Sequence, residues 1–206
     1  MDTKERILQV ALELYNSQGV NTITSRHIAA EMGISPGNLH YHFKQTDEII
    51  KSLYDRLALD FDAIVKGLGT LDLIDLDTMK EYVDQSFALA YKNRFIFLHF
   101  VEIGLRIPAI KKEYAALTKR REKEFLLLFE KLQTAGLLRT DIPKEVLQSL
   151  VTQIFIVADF WLSNNELTVR LKGNKAIDHY RHVFIHMFYP YLTTETQRRF
   201  MEVIVK

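Results

Sequence analysis

An all-α protein is expected, with an N-terminal helix-turn-helix unit of three helices joined through a fourth helix to a larger helical domain. Three observations predict it. Apolar residues recur at helical spacing along nearly the whole chain, and no run alternates in the manner of a strand. Gly, Pro and capping residues fall between those periodic segments. The stretch from Thr24 to Phe43 reads as two short helices about a tight turn.

The elements follow in order. A first helix is expected over 3–17, with Ile7, Ala11 and Leu14 on one face and Asp2 and Glu5 forming a capping box. Thr24 caps a second helix whose Ile28, Ala29 and Met32 share a face, and Gly33 follows where a helix end wants positive φ. Ser35 caps the third helix, with Pro36 in its first turn and Leu39 and Phe43 four apart for docking on the second. The fourth helix covers 47–66, capped by Thr46, with Ile50, Leu53, Leu57, Phe61 and Ile64 inward. The run 67–70, Gly-Leu-Gly-Thr, ends it and opens a flexible stretch. Further helices are expected over 78–91, from Asn93 to a stop at Pro108, over 109–135 up to Gly136, and from Asp141 and Pro143 to 163. A polar loop, 164–173, precedes a helix over 174–189 that Pro190 breaks, and Thr194 with Gln197 makes a capping box for a short last helix. There are no internal repeats or low-complexity tracts. The domain boundary is expected next to the fourth helix, dividing 1–46 from 47–206. That helix serves both parts, so its tilt could carry an event from one to the other.

Composition narrows the function. The 206 residues are 48% hydrophobic, enough for a substantial core, and include no Cys. Disulfides, Cys-based zinc sites and thiol catalysis are excluded, and a reducing cytoplasm suits the chain. The charged start, Met1 to Arg6, lacks the apolar core of a signal peptide. The most apolar run, 154–162, contains Asp159 and is too short to span a bilayer, so no membrane association is expected. No nucleophile elbow, P-loop, zinc-protease or dinucleotide motif occurs, so an enzyme is not expected, nor any cofactor. Net charge is +1. The first 50 residues hold four Lys or Arg against six Asp or Glu, four minus six giving −2. The acids fall mostly on the first helix or in the first turn of the fourth, while 25–44 carries Arg26, Lys44 and three His against Glu31 alone. A DNA-facing surface of that kind predicts a shallow salt dependence.

The N-terminal pattern resembles the TetR family of bacterial transcriptional regulators. Gly19, Thr24, Ile28-Ala29, Gly33, Ser35, Gly37, Leu39, His42 and Phe43, then Asp47-Glu48, carry the likeness over roughly the first 55 residues. The sequence departs from the pattern at His40, where the family most often has Tyr, and at Thr46, where it often has Lys. The rest of the chain fits by length and helical character. The resemblance implies a DNA-binding three-helix unit, an effector pocket in the C-terminal domain and a four-helix dimer interface.

The candidate DNA contacts are Ser25, Arg26, Ser35, Gly37, Asn38, His40, Tyr41, His42 and Lys44. Tyr41 and His42 can donate to phosphates, and Tyr41 can also stack on a thymine methyl. His40 offers the same chemistry at shorter reach. The competing reading makes the His-Tyr-His triplet an aromatic packing edge. Ser25 and Arg26 open the second helix, where free N–H groups favour phosphate, though Arg26 could instead pair with a carboxylate. Ser35 could be a cap only. The family places Gly37 and Asn38 at the groove.

In the C-terminal part, Phe97, His99, Phe100 and Glu102, with Phe155, Asp159 and Trp161, are candidates for an effector pocket, against the plainer reading of an ordinary core with internal ion pairs. His179, His182 and His186 form a stripe, read as solvated or interface-facing and not as a metal site. The basic run Lys119-Arg120-Arg121 is read as a solvated face with i,i+4 pairs. Val146, Leu150, Ile154 and Val157 on one helix, and Ile177, Tyr180, Val183, Phe184 and Met187 on the next, are the expected dimer interface. The expected function is a homodimeric repressor released from a near-palindromic double-stranded DNA operator by a small-molecule effector. The alternative is a DNA-binding regulator with no small-molecule ligand, controlled by a protein partner.

Overall fold

The computed structural model describes residues 2–204, and its helices sort into two compact units. Among the described residues these helices are α1 Thr3–Gln18, α2 Ser25–Met32, α3 Pro36–His42, α4 Thr46–Thr70, α5 Leu76–Lys92, α6 Arg94–Leu98, α7 Phe100–Arg106, α8 Pro108–Thr134, α9 Lys144–Leu167, α10 Asn174–His186 and α11 Thr194–Ile204. The all-α expectation holds; an isolated antiparallel bridge, Leu138 to Leu192, is the nearest approach to a sheet among them. The first unit comprises the described residues up to Asp60 with Asn93–Glu113, and the second Phe61–Lys92 with the described residues from Tyr114 onward. The units are not continuous in the chain: α4, expected to serve both parts, and α8 each contribute to both units.

In the first unit α1 buries Ile7, Leu8, Ala11 and Tyr15, and packs on α2 and α6. The Tyr15 and Phe95 rings lie 5.1 Å apart, and Asn16 Oδ1 accepts the Phe95 N–H at 3.1 Å. Burial pushes the Tyr15 hydroxyl above its ordinary pKa. The first half of α4 adds Ile49, Ile50, Leu53, Tyr54 and Leu57 to this core. The Asp2–Glu5 capping box does not form. Asp2 is the N-cap without a side-chain bond, and Glu5 is taken by Arg56 in a two-pronged pair that holds its carboxyl below the usual range.

In the second unit α9 is the central helix, burying Leu147, Leu150, Val151, Ile154, Trp161 and Leu162. Trp161 lies 5.3 Å from Phe87 of α5 and 5.2 Å from Tyr180 of α10, ring centre to ring centre. Arg181 ties α10 to Asp84 of α5 at 2.9 Å. The helix holding the apolar run 154–162 is 24 residues long, with mean hydropathy 1.5 over its best window, so by length and composition it could cross a membrane. Its apolar residues divide between a buried face and an exposed one.

Other boundaries moved for physical reasons. α4 continues through Gly67 and Gly69 to Thr70. Gly67 admits close packing, since a Cβ there would meet the Tyr82 hydroxyl at 2.9 Å, and Lys131 Nζ caps the helix end through Gly69 O at 2.5 Å. The single helix expected from Asn93 breaks at His99 into α6 and α7. Pro108 opens α8, where its missing N–H costs nothing, rather than only closing its predecessor. α9 runs four residues into the expected loop; Asn165 is buried there and exchanges two hydrogen bonds with Leu171. α11 is capped by Thr193 Oγ1, which accepts the Thr196 N–H at 3.3 Å, while Gln197 donates to Tyr189 O, so the box expected at Thr194 is displaced by one residue.

Two glycines should answer differently to alanine. Gly33 sits at φ +67° with open space around it, so Gly33→Ala should lose about 1 kcal/mol to backbone strain alone. Gly69 is helical, without positive φ and equally open, so Gly69→Ala should gain about 0.5 kcal/mol. Denaturant melts of the two variants check both signs.

Candidate functional site

The helix-turn-helix is assembled from local rules. Thr24 is the N-cap of α2, and its N–H donates to His27 Nδ1 at 3.2 Å. Ile28 and Ala29 are buried, and Gly33 turns the chain in the left-handed region. Ser35 Oγ accepts the Asn38 N–H at 3.2 Å, so Ser35 does cap α3, with Pro36 at its first position. Leu39 and Phe43 are buried as docking residues.

The opposite face is open. Arg26, Ser35, Gly37, Asn38, His40, Tyr41 and Lys44 are exposed, and Ser25 and His42 are half-buried. Tyr41 is 79% exposed, its ring edge-on to His42 at 5.2 Å. A packing-edge role for the triplet does not fit that exposure. All nine candidates therefore lie on α2, α3 or the flanking residues of one unit, with α3 free to enter a groove.

The segment that follows α3 is pinned. Glu48 Oε2 accepts the Lys44 N–H at 2.8 Å, a back-bond from the first turn of α4. Arg106 of α7 reaches Asp47 at 2.5 Å and Thr46 Oγ1 at 3.2 Å. Thr46 is therefore an acceptor for Arg106 within the first turn, not the cap expected from the sequence. Sequence reasoning also missed Lys4, whose Nζ stands 5.4 Å over the ring of Phe43, the residue before Lys44. Only the fold brings residues 39 apart in the chain together.

The seven pocket candidates are divided. Phe97, His99, Phe100 and Glu102 belong to the first unit, where His99 and Glu102 form a half-exposed pair at 3.3 Å. Phe155, Asp159 and Trp161 belong to the second. There Asp159 is buried against the Tyr114 hydroxyl, and Phe155 stands edge-on to both Tyr114 and Phe125. Burial pushes the Asp159 carboxyl up to about 6, against the opposing pull of the Tyr114 hydroxyl. Also in the second unit is an open cleft of about 940 Å³ between the C-terminal half of α4 and α8, lined by none of the seven. At one end Arg121, 5% exposed, is clamped by Asp62 and Glu124, while Arg120 pairs with Asp62 at 2.7 Å. The basic run is therefore not a wholly solvated face, for one of its cations is buried.

The nine interface candidates also divide. Leu150, Ile154, Tyr180 and Phe184 are spent in the core of the single chain; Val157, Ile177 and Met187 are half-buried; Val146 and Val183 are exposed. Ile156 and Phe160, which sequence reasoning passed over, are exposed on α9 at 56% and 42%. His182 and His186 stack at 6.2 Å, and His179 and His186 are exposed.

Comparison with known proteins places this arrangement. Residues 7–53 match the family model described as bacterial regulatory proteins, tetR family, and residues 63–200 match that of the TetR bacterial transcriptional repressor. An HTH-type transcriptional regulator of Staphylococcus aureus is 28% identical over 104 residues, half of this chain and 56% of that protein, so the chain spans only about half the length of such curated relatives. A TetR-family regulator from Marinobacter aquaeolei superposes at TM-score 0.90 with 25% identity, covering 100% of this chain and 98% of the other. SmeT, the repressor of the Stenotrophomonas maltophilia multidrug efflux pump SmeDEF, shares the fold at TM-score 0.69 and 17% identity, over 95% and 93% of the two chains. The chain belongs to the TetR family of bacterial transcriptional regulators, whose N-terminal model covers the helix-turn-helix of α2 and α3.

Two measurements bear on these residues. Replacing Tyr41 and His42 together by Ala should abolish operator binding and leave the melting temperature nearly unchanged, because neither ring supports the core; unfolding of the double variant would make them structural. For Asp159, the folded state binds the proton more tightly than the unfolded chain. The associated stability is complete below about pH 4 and is lost as pH rises to about 6. Asp159→Asn should therefore match the parent at pH 4 and exceed it by up to about 3 kcal/mol well above pH 6, as read by thermal melts across that range.

Proposed function

We propose that this TetR-family chain is a homodimeric repressor that reads a near-palindromic operator with α3 and is released by a small-molecule effector. The observation that carries the reading is the two-sidedness of α3. Leu39 is buried against α2 while Gly37, Asn38, His40 and Tyr41 are left to solvent. A seven-residue helix reads too few base pairs to select one genomic site, so two copies on a fixed axis are needed.

The outward faces of α9 and α10, which pack together, offer that axis. Ile156, Phe160 and Leu167 fall on one exposed stripe of α9, and His179, Val183 and His186 on one of α10. Large apolar side chains left to water on adjoining helices suit a self-complementary contact. This face replaces Leu150, Ile154, Tyr180 and Phe184 in the assignment and keeps Val146 and Val183. A cytoplasmic location follows from action on the chromosome.

Support for an effector comes from the open cleft of the second unit, and from α4 and α8, which border it and also contribute residues to the unit holding the helix-turn-helix. SmeT, alike in fold, has been solved with triclosan. Control by a protein partner is the second reading, favoured by Val101 and Leu105, exposed one turn apart on α7.

Phe160→Glu with Val183→Glu should yield folded monomers by sedimentation, and operator affinity should collapse with the dimer, since a monomer keeps only one half-site. Site selection from random duplexes should return half-sites about one turn, ~34 Å, apart. A double variant that stays dimeric places the interface elsewhere, and a monomer that keeps full affinity ends the dimer mechanism.

A further inference from the structure

We propose that the cleft between the C-terminal half of α4 and α8 selects an electrically neutral, lipophilic small molecule. This rests on the effector reading above and names the chemical class of its ligand. At about 940 Å³ the cleft is of ligand-pocket size. Val65 and Leu68 of α4 and Phe125 and Leu128 of α8 line it. Leu73 and Leu127, 85% and 60% exposed, lie on the same cleft. A lone exposed Leu is ordinary, but two beside four further apolar lining residues form a continuous apolar surface open to water.

The charges of the lining exclude an ion as the preferred guest. They comprise four cations and four carboxylates. Arg120 and Arg121 are neutralised by Asp62 and Glu124. Lys131 is spent on the carbonyls of Gly69, at 2.5 Å, and Leu71, at 3.4 Å. Lys66, Asp72 and Glu130 complete a lining whose formal charges sum to zero. An ionic ligand would shed its hydration against a lining of zero net charge, whereas a neutral apolar one gains from every apolar side chain it covers. Gly69 lines the cleft and leaves room in it, since a Cβ there meets nothing within 4 Å.

The test uses the full chain and the neutral fluorophore N-phenyl-1-naphthylamine, which brightens in apolar surroundings. The parent protein should bind it, and decanol should displace it. Decanoate and decyltrimethylammonium, of the same chain length, should need at least about tenfold higher concentration. Gly69→Trp, which fills the cleft, and Leu127→Lys, which charges its rim, should each weaken binding about tenfold or more. Neither residue touches the helix-turn-helix, so ligand-free operator affinity and melting temperature should hold. Absence of probe binding, equal displacement by the charged congeners, or full binding in both variants would overturn the proposal. Specific binding that leaves operator affinity unchanged upholds the cleft's selectivity and removes the effector reading instead.

Discussion

A seven-residue helix has no stability of its own in water, because too few hydrogen bonds repay its nucleation. The organisation around α3 follows from that constraint. Ser35 and Pro36 fix its first turn, Gly33 sets the angle of entry, and Leu39 and Phe43 spend its inner face on α2. Beyond it, Glu48 holds the Lys44 N–H and Arg106 holds Asp47 and Thr46. The helix is held at both ends and along one side, which frees its outer side chains for a groove without cost to the core. Rigid support of this kind limits the entropy lost when a contact residue meets DNA.

The same economy explains where charge is buried. Arg121 is removed from water yet meets two carboxylates, whereas Asp159 is buried with the Tyr114 hydroxyl as its hydrogen-bond donor. The first has its burial offset by two ion pairs. The second relieves its burial by taking up a proton more readily than a free carboxyl, which converts a packing fact into a pH dependence. Around the cleft, four cations and four carboxylates balance beside the apolar lining, and a site of zero net charge favours a neutral ligand.

Apolar surface is divided in a similar way on α9. One face supplies the core of the second unit, and the other carries Ile156 and Phe160 outward. A helix that is apolar on most sides looks in sequence like a single stripe serving two purposes, or like a membrane span. Burial separates the uses: Leu150 is fully buried and cannot meet a partner, while Phe160 can.

The sequence by itself determined the helical class and the helix-turn-helix, including Thr24, Gly33, Ser35, Leu39 and Phe43 in their roles, because capping, turn and i,i+4 rules act over a few residues. It also placed Asn38, His40 and Tyr41 on the open side of α3, since one face of a short amphipathic helix is fixed once the other is docked. Tertiary structure alone decided the rest. Lys4 over Phe43, Arg106 on Asp47, Arg56 on Glu5 and Arg121 on Asp62 join residues 39 to 59 apart in the chain, beyond any local period. The continuation of α4 through Gly67 and Gly69 depended on Tyr82 and Lys131, and the outward face of α9 on which side its neighbours covered. Local rules assign a residue its conformation, but only packing against distant segments assigns it an inside, an outside and a partner.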